Sequence, residues 1–171
     1  MLTLSLLRHA KSSWAEPAQD DFDRPLNERG REATPRMGSY MAGLDITPDL
    51  ILCSPAVRTR QTLALVLPHL PRTAEIAYDN DLYLASTGDL LKRIRKTPGS
   101  ISHLMIVGHD PGMHGIAVKL AGSGDPATLD LLAAKFPTAG LAVIVFEATS
   151  WAEVGAGDGR LQIFMTPKRL P

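Results

Sequence analysis

Short apolar runs that alternate with helical patterns constrain the fold of this 171-residue chain more than any other feature. The clearest run is Leu-Met-Ile-Val at residues 104–107, which ends abruptly at a Gly-His pair. Short apolar runs bounded by polar residues are typical of strands that are buried on both faces. The same pattern predicts further strands at residues 3–7, 49–53, 74–78, 141–146 and 161–165.

Helical patterns fill most of the segments between these strands. Apolar side chains recur there at the spacing of one helix face, with charged residues on the other faces. Pro35 interrupts the first of these patterns, and a glycine-rich segment at residues 122–124 ends the last. The predicted helices cover residues 26–44, 57–68, 90–96 and 116–120.

Strands that alternate with helices predict βαβ units around a mostly parallel sheet. We therefore expect one α/β domain over residues 1–171, built as a three-layer αβα sandwich. The two late strands, 141–146 and 161–165, are expected to add an antiparallel strand at one edge of the sheet. The chain shows no internal repeat, linker or low-complexity tract.

Composition and charge limit the class of protein. Hydrophobic residues make up 44% of the chain and charged residues 21%, which excludes a disordered or fibrous protein. The 18 basic residues balance the 18 acidic ones, so a general affinity for nucleic acid is not expected. No segment has the pattern of a membrane span or signal peptide, so we expect a cytoplasmic protein without membrane partners. The lone Cys53 excludes an internal disulfide and is expected to pack in a strand.

Polar residues suited to phosphate chemistry follow three of the predicted strands: Arg8-His9, Ser54 with Arg58, and Gly108-His109. Ligands of open α/β sheets bind beyond the carboxyl ends of the strands, so these residues are expected to meet. Guanidinium groups match phosphate oxygens in pairs. Ser54 is also expected to cap the following helix, whose positive end would face the same anion. The pattern therefore predicts a phosphate site at this edge.

Two histidines in such a site indicate catalysis rather than binding alone. A neutral imidazole can attack phosphorus, and neighbouring cations would keep His9 unprotonated at neutral pH. Arg8, Arg58 and His109 would stabilise charge on the transferred phosphoryl group, with no metal or other cofactor required. The remaining histidines lack such settings and are expected to be structural: His69, His103 and His114.

These motifs resemble those of the histidine phosphatase superfamily. The matches run in family order from residue 4 to residue 168. They are the Arg-His-Gly signature at residues 6–14 with Ala10 in place of glycine, the second element at 23–30, the Ser-Pro-x-x-Arg-x-x-Gln-Thr element at 53–62, the second histidine at 107–109 and a frequent chain end at 166–168. The resemblance implies a phosphoglycerate mutase-like fold. It also implies phosphoryl transfer through phospho-His9, with Arg8, Arg58 and His109 binding the phosphate.

Within the superfamily, the short length, the segment 8–14 and Asp81-Leu82-Tyr83 look most like the SixA-type phosphohistidine phosphatases. That likeness implies a phosphohistidine-bearing protein as the substrate and inorganic phosphate as the product. Ser54 and Ser12 are candidate substrate-binding residues. The glutamate that phosphomonoesterase members use as general acid is not found, and Asp81 is the nearest candidate for that role.

The missing glutamate favours a substrate with a P–N bond. An alkoxide leaves poorly unless an acid protonates it, and a positioned acid contributes roughly 10²–10⁴-fold. Imidazole, with a pKa of about 6.5, needs far less help. Two alternatives stay open: a small-molecule phosphomonoesterase or mutase of the same fold, with Asp81, Asp21 or Asp23 as the acid, and a catalytically inactive module that binds phosphate or phosphoproteins.

Overall fold

A seven-stranded sheet forms the middle layer of the molecule, in a computed structural model that covers residues 1–171. Its strands are β1 (Leu2–Arg8), β2 (Leu50–Cys53), β3 (Glu75–Tyr78), β4 (His103–Gly108), β5 (Ala121–Gly124), β6 (Leu141–Phe146) and β7 (Gly159–Met165). The helices are α1 (Glu28–Gly43), α2 (Val57–Val66), α3 (Thr87–Arg95), α4 (Gly112–Leu120) and α5 (Pro126–Ala134). The strand order across the sheet is β3-β2-β4-β1-β6-β7-β5.

The sheet is mostly parallel, as the sequence predicts, and one strand is reversed. β6 runs antiparallel to both of its neighbours, β1 and β7, whereas the other neighbouring strands pair in parallel. The antiparallel strand was expected at an edge, but it lies inside the sheet because β7 and β5 extend the sheet beyond it. All residues of β6 are accordingly buried.

Helices cover both faces of the sheet, which confirms the three-layer αβα prediction. Successive side chains of a strand point to opposite faces, so Leu6 and Leu7 of β1 enter two separate hydrophobic cores. The core with Leu6 includes apolar residues of α3, α4 and α5. The core with Leu7 includes Met37 and Met41 of α1 and apolar residues of α2.

β5 and α5 were not predicted from the sequence. β5 contains two glycines and no apolar run, and it is a strand because it pairs with β7 at the edge of the sheet. Asp125 caps α5, and its carboxylate accepts a hydrogen bond from the backbone N–H of Thr128 at 3.0 Å. Pro126 occupies its first turn. This Asp-Pro pair is a usual helix start and was the available signal.

Parallel strands bring the predicted functional residues to one edge of the sheet. β1 and β4 are neighbours, and their register pairs Arg8 with Gly108. The backbone N–H of His9 continues this ladder by donating to the Gly108 carbonyl at 3.1 Å. β2 lies on the other side of β4, so Ser54 also reaches this edge.

None of the helices is long and apolar enough to span a membrane.

The start of α1 packs closely against the loop that follows β1, and Gly30 allows this contact. A Cβ atom at Gly30 would lie 2.2 Å from the carbonyl oxygen of Lys11. The same carbonyl accepts a hydrogen bond from the backbone N–H of Asn27, the residue that caps α1, at 2.9 Å. The glycine therefore helps to fix the loop that forms one wall of the site described below.

We predict that Gly30→Ala lowers the free energy of unfolding by about 1–3 kcal/mol, because the added methyl group overlaps the Lys11 carbonyl. Gly43→Ala is the matched control, since no heavy atom lies within 4 Å of its Cβ position at the other end of α1. That variant is expected to gain up to about 1 kcal/mol from helix propensity. Urea unfolding of both variants measures the difference, and equal effects would contradict the role given to Gly30.

Candidate active site

A pocket of about 350 Å³ opens at the carboxyl edge of β1 and β4. Its walls include all the residues predicted to be catalytic, namely Arg8, His9, Arg58 and His109, and also the predicted substrate-binding residue Ser12. The imidazole rings of His9 and His109 are 5.4 Å apart between centroids. Residues separated by 100 positions are thus brought into one cavity by the pairing of two strands.

His9 is held in the neutral form with one ring nitrogen free. Its Nδ1 lies 2.7 Å from the carbonyl oxygen of Ala10, and since a carbonyl can only accept, Nδ1 carries the proton. Burial lowers the pKa of His9 to about 4, and the charges of Arg58 and Arg8 act in the same direction. At neutral pH the Nε2 atom therefore keeps an unprotonated lone pair, which is the form a nucleophile needs.

His109 is also neutral and presents an N–H group. Ser54 Oγ accepts from the backbone N–H of Ala56 at 3.4 Å, so its own proton is available to His109 Nε2 at 2.7 Å. The ring proton then resides on Nδ1, which is buried and has no hydrogen-bond partner. Burial lowers the pKa of His109 to about 3, and the nearby His9 and Arg58 act in the same direction.

Ser54 lies behind His109. The residue is fully buried and does not line the pocket. The prediction that Ser54 caps the following helix is wrong, because α2 begins at Val57 and Ala56 occupies the capping position without a side-chain hydrogen bond. The chain turns through Pro55 before the helix starts, and this turn leaves the Ser54 hydroxyl free to bond His109.

The two predicted arginines, Arg8 and Arg58, are anchored through Nη atoms, while their Nε atoms have no hydrogen-bond partner. Arg8 Nη1 donates to the Phe136 carbonyl at 2.8 Å, and the two Nη atoms of Arg58 donate to Asp21. The Nε atoms of both arginines are buried without a partner, like Nδ1 of His109. Buried polar groups are nearly always hydrogen-bonded in folded proteins. Three such donors among pocket residues suit an oxyanion ligand.

Three further residues belong to the site; the sequence pointed to Asp21 only as an alternative acid, and to Arg24 and Tyr83 only as members of the family motifs. Arg24 lines the pocket, with Nη1 donating to Ser12 Oγ at 2.7 Å and Nη2 lying 3.1 Å from Asp21 Oδ1. The Tyr83 hydroxyl donates to Asp21, and its ring meets that of His109 edge-on. Asp21 thus links residues from three separate segments. The sequence signal was slight, because this acidic stretch reads as ordinary loop composition.

Asp21 lines the pocket and is hydrogen-bonded to Arg58, whereas Asp81 is not part of the pocket. Asp81 is exposed and does not line the pocket, so its position does not fit the predicted role of general acid. Burial raises the pKa of Asp21, but hydrogen bonds from Tyr83 and Arg58 outweigh this effect and hold the pKa at about 2. Asp21 is therefore ionised at neutral pH and has no proton to donate.

The other titratable residues singled out from the sequence lie outside the pocket. Burial raises the pKa of Cys53 to about 12, and its thiol packs within a core beside β2. The remaining histidines contact Gly38, the hydroxyl of Ser5 and the carbonyl of Leu132, respectively: His69, His103 and His114. These positions agree with the structural roles expected for them.

The fold and the donor set define an α/β protein whose pocket is lined by two neutral histidines and by residues with three unpartnered donors. Comparison with known proteins supplies the family. Residues 4–97 match the histidine phosphatase superfamily, branch 1, and the chain belongs to this superfamily. A relative in Mycobacterium tuberculosis, the uncharacterized protein Rv1276c, is 39% identical over 165 residues, which is 95% of this chain and 100% of the relative.

Two solved structures narrow the likeness within the superfamily. A candidate phosphohistidine phosphatase SixA from Agrobacterium tumefaciens is 33% identical, with a TM-score of 0.78 over 97% of this chain and 98% of that chain. A candidate phosphohistidine phosphatase SixA from Nakamurella multipartitia is 29% identical, with a TM-score of 0.83 over 97% and 96% of the chains. The predicted resemblance to the superfamily and to its SixA-type branch is confirmed.

The buried imidazoles predict how stability depends on pH. The folded-state pKa values of His9 and His109, about 4 and about 3, lie below the value of about 6.5 in an unfolded chain. The unfolded chain therefore binds more protons between pH 6.5 and pH 4, so the free energy of unfolding should fall as the pH falls through this window. The stability that depends on the two neutral rings should be fully present above about pH 6.5.

Urea unfolding at pH 7, 5.5 and 4.5 measures this slope. The double variant His9→Asn, His109→Asn should show a shallower decline, because it lacks two of the groups that take up protons. Nitrogen-15 NMR of the wild type at pH 6 should show His9 protonated on Nδ1 only. A His9 titration midpoint near 6.5 would contradict the arrangement.

Proposed function

We propose that this protein hydrolyses phosphohistidine on another protein through a covalent phospho-His9 intermediate. The observation that carries the proposal is the unprotonated Nε2 of His9 in a pocket whose lining residues hold three buried, unpartnered donors. The names of its structural relatives, candidate phosphohistidine phosphatases, support the same substrate class. The membership of the chain in the histidine phosphatase superfamily is independent of this substrate.

The first step transfers the phosphoryl group to His9. Nε2 of His9 forms a bond to phosphorus while the P–N bond of the substrate breaks. A substrate imidazole that carries a proton on its other nitrogen leaves as neutral imidazole. Arg8, Arg58 and the Nδ1–H of His109 stabilise the charge on the phosphoryl oxygens during transfer.

The second step returns His9 to its starting form. Because the Ala10 carbonyl keeps Nδ1 protonated, phospho-His9 is an imidazolium that leaves phosphorus as a neutral ring. Water forms the new bond to phosphorus, and its proton goes to the phosphate that is released. Inorganic phosphate is the product, and no group on the enzyme has changed its charge.

The pocket favours an imidazole leaving group over an alkoxide. Asp21 is held ionised, and Asp110 lies 3.5 Å from Nη1 of Arg8 as its ion-pair partner. An alkoxide would need a proton donor at this point, whereas a protonated phosphohistidine already carries its own proton. Because Asp21 holds no proton to donate, the pocket suits phosphohistidine better than the substrate of a phosphomonoesterase of the same fold.

The rim of the pocket suits a substrate that is presented on a protein surface. Trp14 is 76% exposed and Leu84 is 54% exposed, and both line the pocket. The Arg24 guanidinium lies 3.5 Å from the Trp14 ring centroid and holds the ring in place. These two exposed side chains offer apolar surface beside the polar pocket to a protein that carries the phosphohistidine.

We predict that the enzyme becomes labelled on His9 when it reacts with a phosphohistidine peptide. Rapid quenching followed by mass spectrometry under alkaline conditions should find one phosphate on this residue, and His9→Ala should show neither label nor turnover. An inactive binding module would never become labelled. A marked preference for alkyl phosphates over phosphohistidine peptides in the same assay would favour the phosphomonoesterase alternative.

Arg58→Ala is expected to lower kcat/KM by about 10²–10³-fold, because it removes a donor to the transferred phosphoryl group. Arg60→Ala is the matched control, since Arg60 lies on the same helix, is exposed and has no side-chain hydrogen bond. Steady-state kinetics with a phosphohistidine peptide compares the two. Similar losses in both variants would argue against a role for Arg58 in phosphate binding.

A further inference from the structure

A second cavity of about 440 Å³ adjoins the catalytic pocket and is not needed to bind a phosphoryl group. Lys11 and Thr138 line both cavities, so they are continuous at this boundary. The second cavity lies between the start of α1, the end of α5 and the segment after β7. We call it the basic groove, because its walls carry five cationic side chains and no acidic one: Lys11, Arg29, Lys135, Lys168 and Arg169.

The charge of the basic groove is unbalanced in a chain that is neutral as a whole. The chain has 18 basic and 18 acidic residues, yet none of the five groove cations forms an ion pair. Lys135 follows the end of α5, where a cation stabilises the helix dipole. Arg169 is anchored by a hydrogen bond to the Phe164 carbonyl. These contacts explain the positions of Lys135 and Arg169 only. The other three cations repel one another, and an anionic ligand would offset that repulsion.

The floor of the groove is apolar. Ala33 of α1, Leu131 of α5 and Phe164 of β7 contribute to it, and Leu131 is 40% exposed. A small anion would leave this surface in contact with water. A stretch of polypeptide would cover the apolar floor with its backbone and aliphatic carbons while its carboxylates reach the surrounding cations.

We propose that the basic groove binds an acidic segment that flanks the phosphohistidine of the protein substrate. This inference rests on the proposed function, because the catalytic pocket would receive the phosphohistidine of the same chain. An extended segment advances about 3.3 Å per residue, so residues a few positions from the phosphohistidine reach the groove. The groove therefore selects substrates by the charge of their flanking sequence.

The test uses a groove variant with three substitutions, Arg29→Gln, Lys135→Gln and Lys168→Gln, none of which lines the catalytic pocket. The control variant is Lys92→Gln, Lys96→Gln, Lys119→Gln, which loses the same charge at exposed positions away from both cavities. The substrates are two phosphohistidine peptides that differ only in having glutamates or glutamines on either side of the phosphohistidine. Free phosphohistidine reports the basal activity.

The wild type and the control variant are expected to prefer the glutamate peptide by about 10-fold in kcat/KM at low salt, mostly through KM. The groove variant should lose this preference and keep the wild-type rate on free phosphohistidine. The preference should also weaken as salt is added. An equal preference in the groove variant, or none in the wild type, would overturn the inference.

Binding of the unphosphorylated glutamate peptide, followed by fluorescence anisotropy, tests the groove without turnover. The groove variant should bind this peptide about 10-fold more weakly than the control variant does. If phosphohistidine is not hydrolysed at all, the proposed function fails, while this binding experiment still decides whether the groove recognises acidic peptides. Equal competition by a single-stranded DNA of the same charge would overturn the assignment to a protein segment.

Discussion

The parallel pairing of β1 with β4 is the contact on which the rest of the site depends. Its register places Arg8 opposite Gly108, and the hydrogen bond from the His9 backbone to Gly108 extends it by one residue. A shift of one residue would turn the side chains of β1 to the opposite faces and exchange Leu6 with Leu7 between the two cores. Because both cores are tightly packed, the register is fixed by burial, and the position of the two imidazoles follows from it.

Burial then sets the chemistry of the residues that the register brings together. Removing water from His9 and His109 lowers the pKa values of both rings, and the neighbouring guanidinium groups lower them further. One neighbour fixes which nitrogen of each ring carries the proton. The Ala10 carbonyl accepts from Nδ1 of His9, and the Ser54 hydroxyl donates to Nε2 of His109. Burying unpaired donors costs free energy, and an anion of the proposed kind would offset part of that cost by accepting hydrogen bonds from them.

Most of the fold and the central residues of the site could be predicted from the sequence for a physical reason. Buried strands must be apolar, and functional residues of α/β proteins follow such strands, so Arg8, His9 and His109 stood out. β5 could not be found this way, because its glycine-rich sequence becomes a strand only through pairing with β7. Local pattern gave Asp21 only as one of three alternative acids, because its contacts are with side chains 37 and 62 positions away.

Segment 80–83, which contacts Asp21 through Tyr83, also shows the limit of local sequence pattern. The sequence pointed to Asp81, but the short helix over residues 80–82 leaves Asp81 exposed, and the Tyr83 side chain reaches the site instead. A shift of two residues along a turn decides which side chain faces inward. Such turns are set by tertiary packing, which is why residue type alone did not locate the contact.

The reversed direction of β6 has a practical consequence for handling the molecule. Because β6 runs antiparallel to both neighbours, the carboxyl ends of β7 and β1 lie on the same side of the sheet. Residues 166–169, which follow β7, line the basic groove. Met1 precedes β1 at the amino end of the strand, about 20 Å from its carboxyl end at the usual rise per strand residue. Attachment to a surface or a fusion partner through the amino end leaves the basic groove open, whereas attachment through Pro171 places a bulky neighbour next to it.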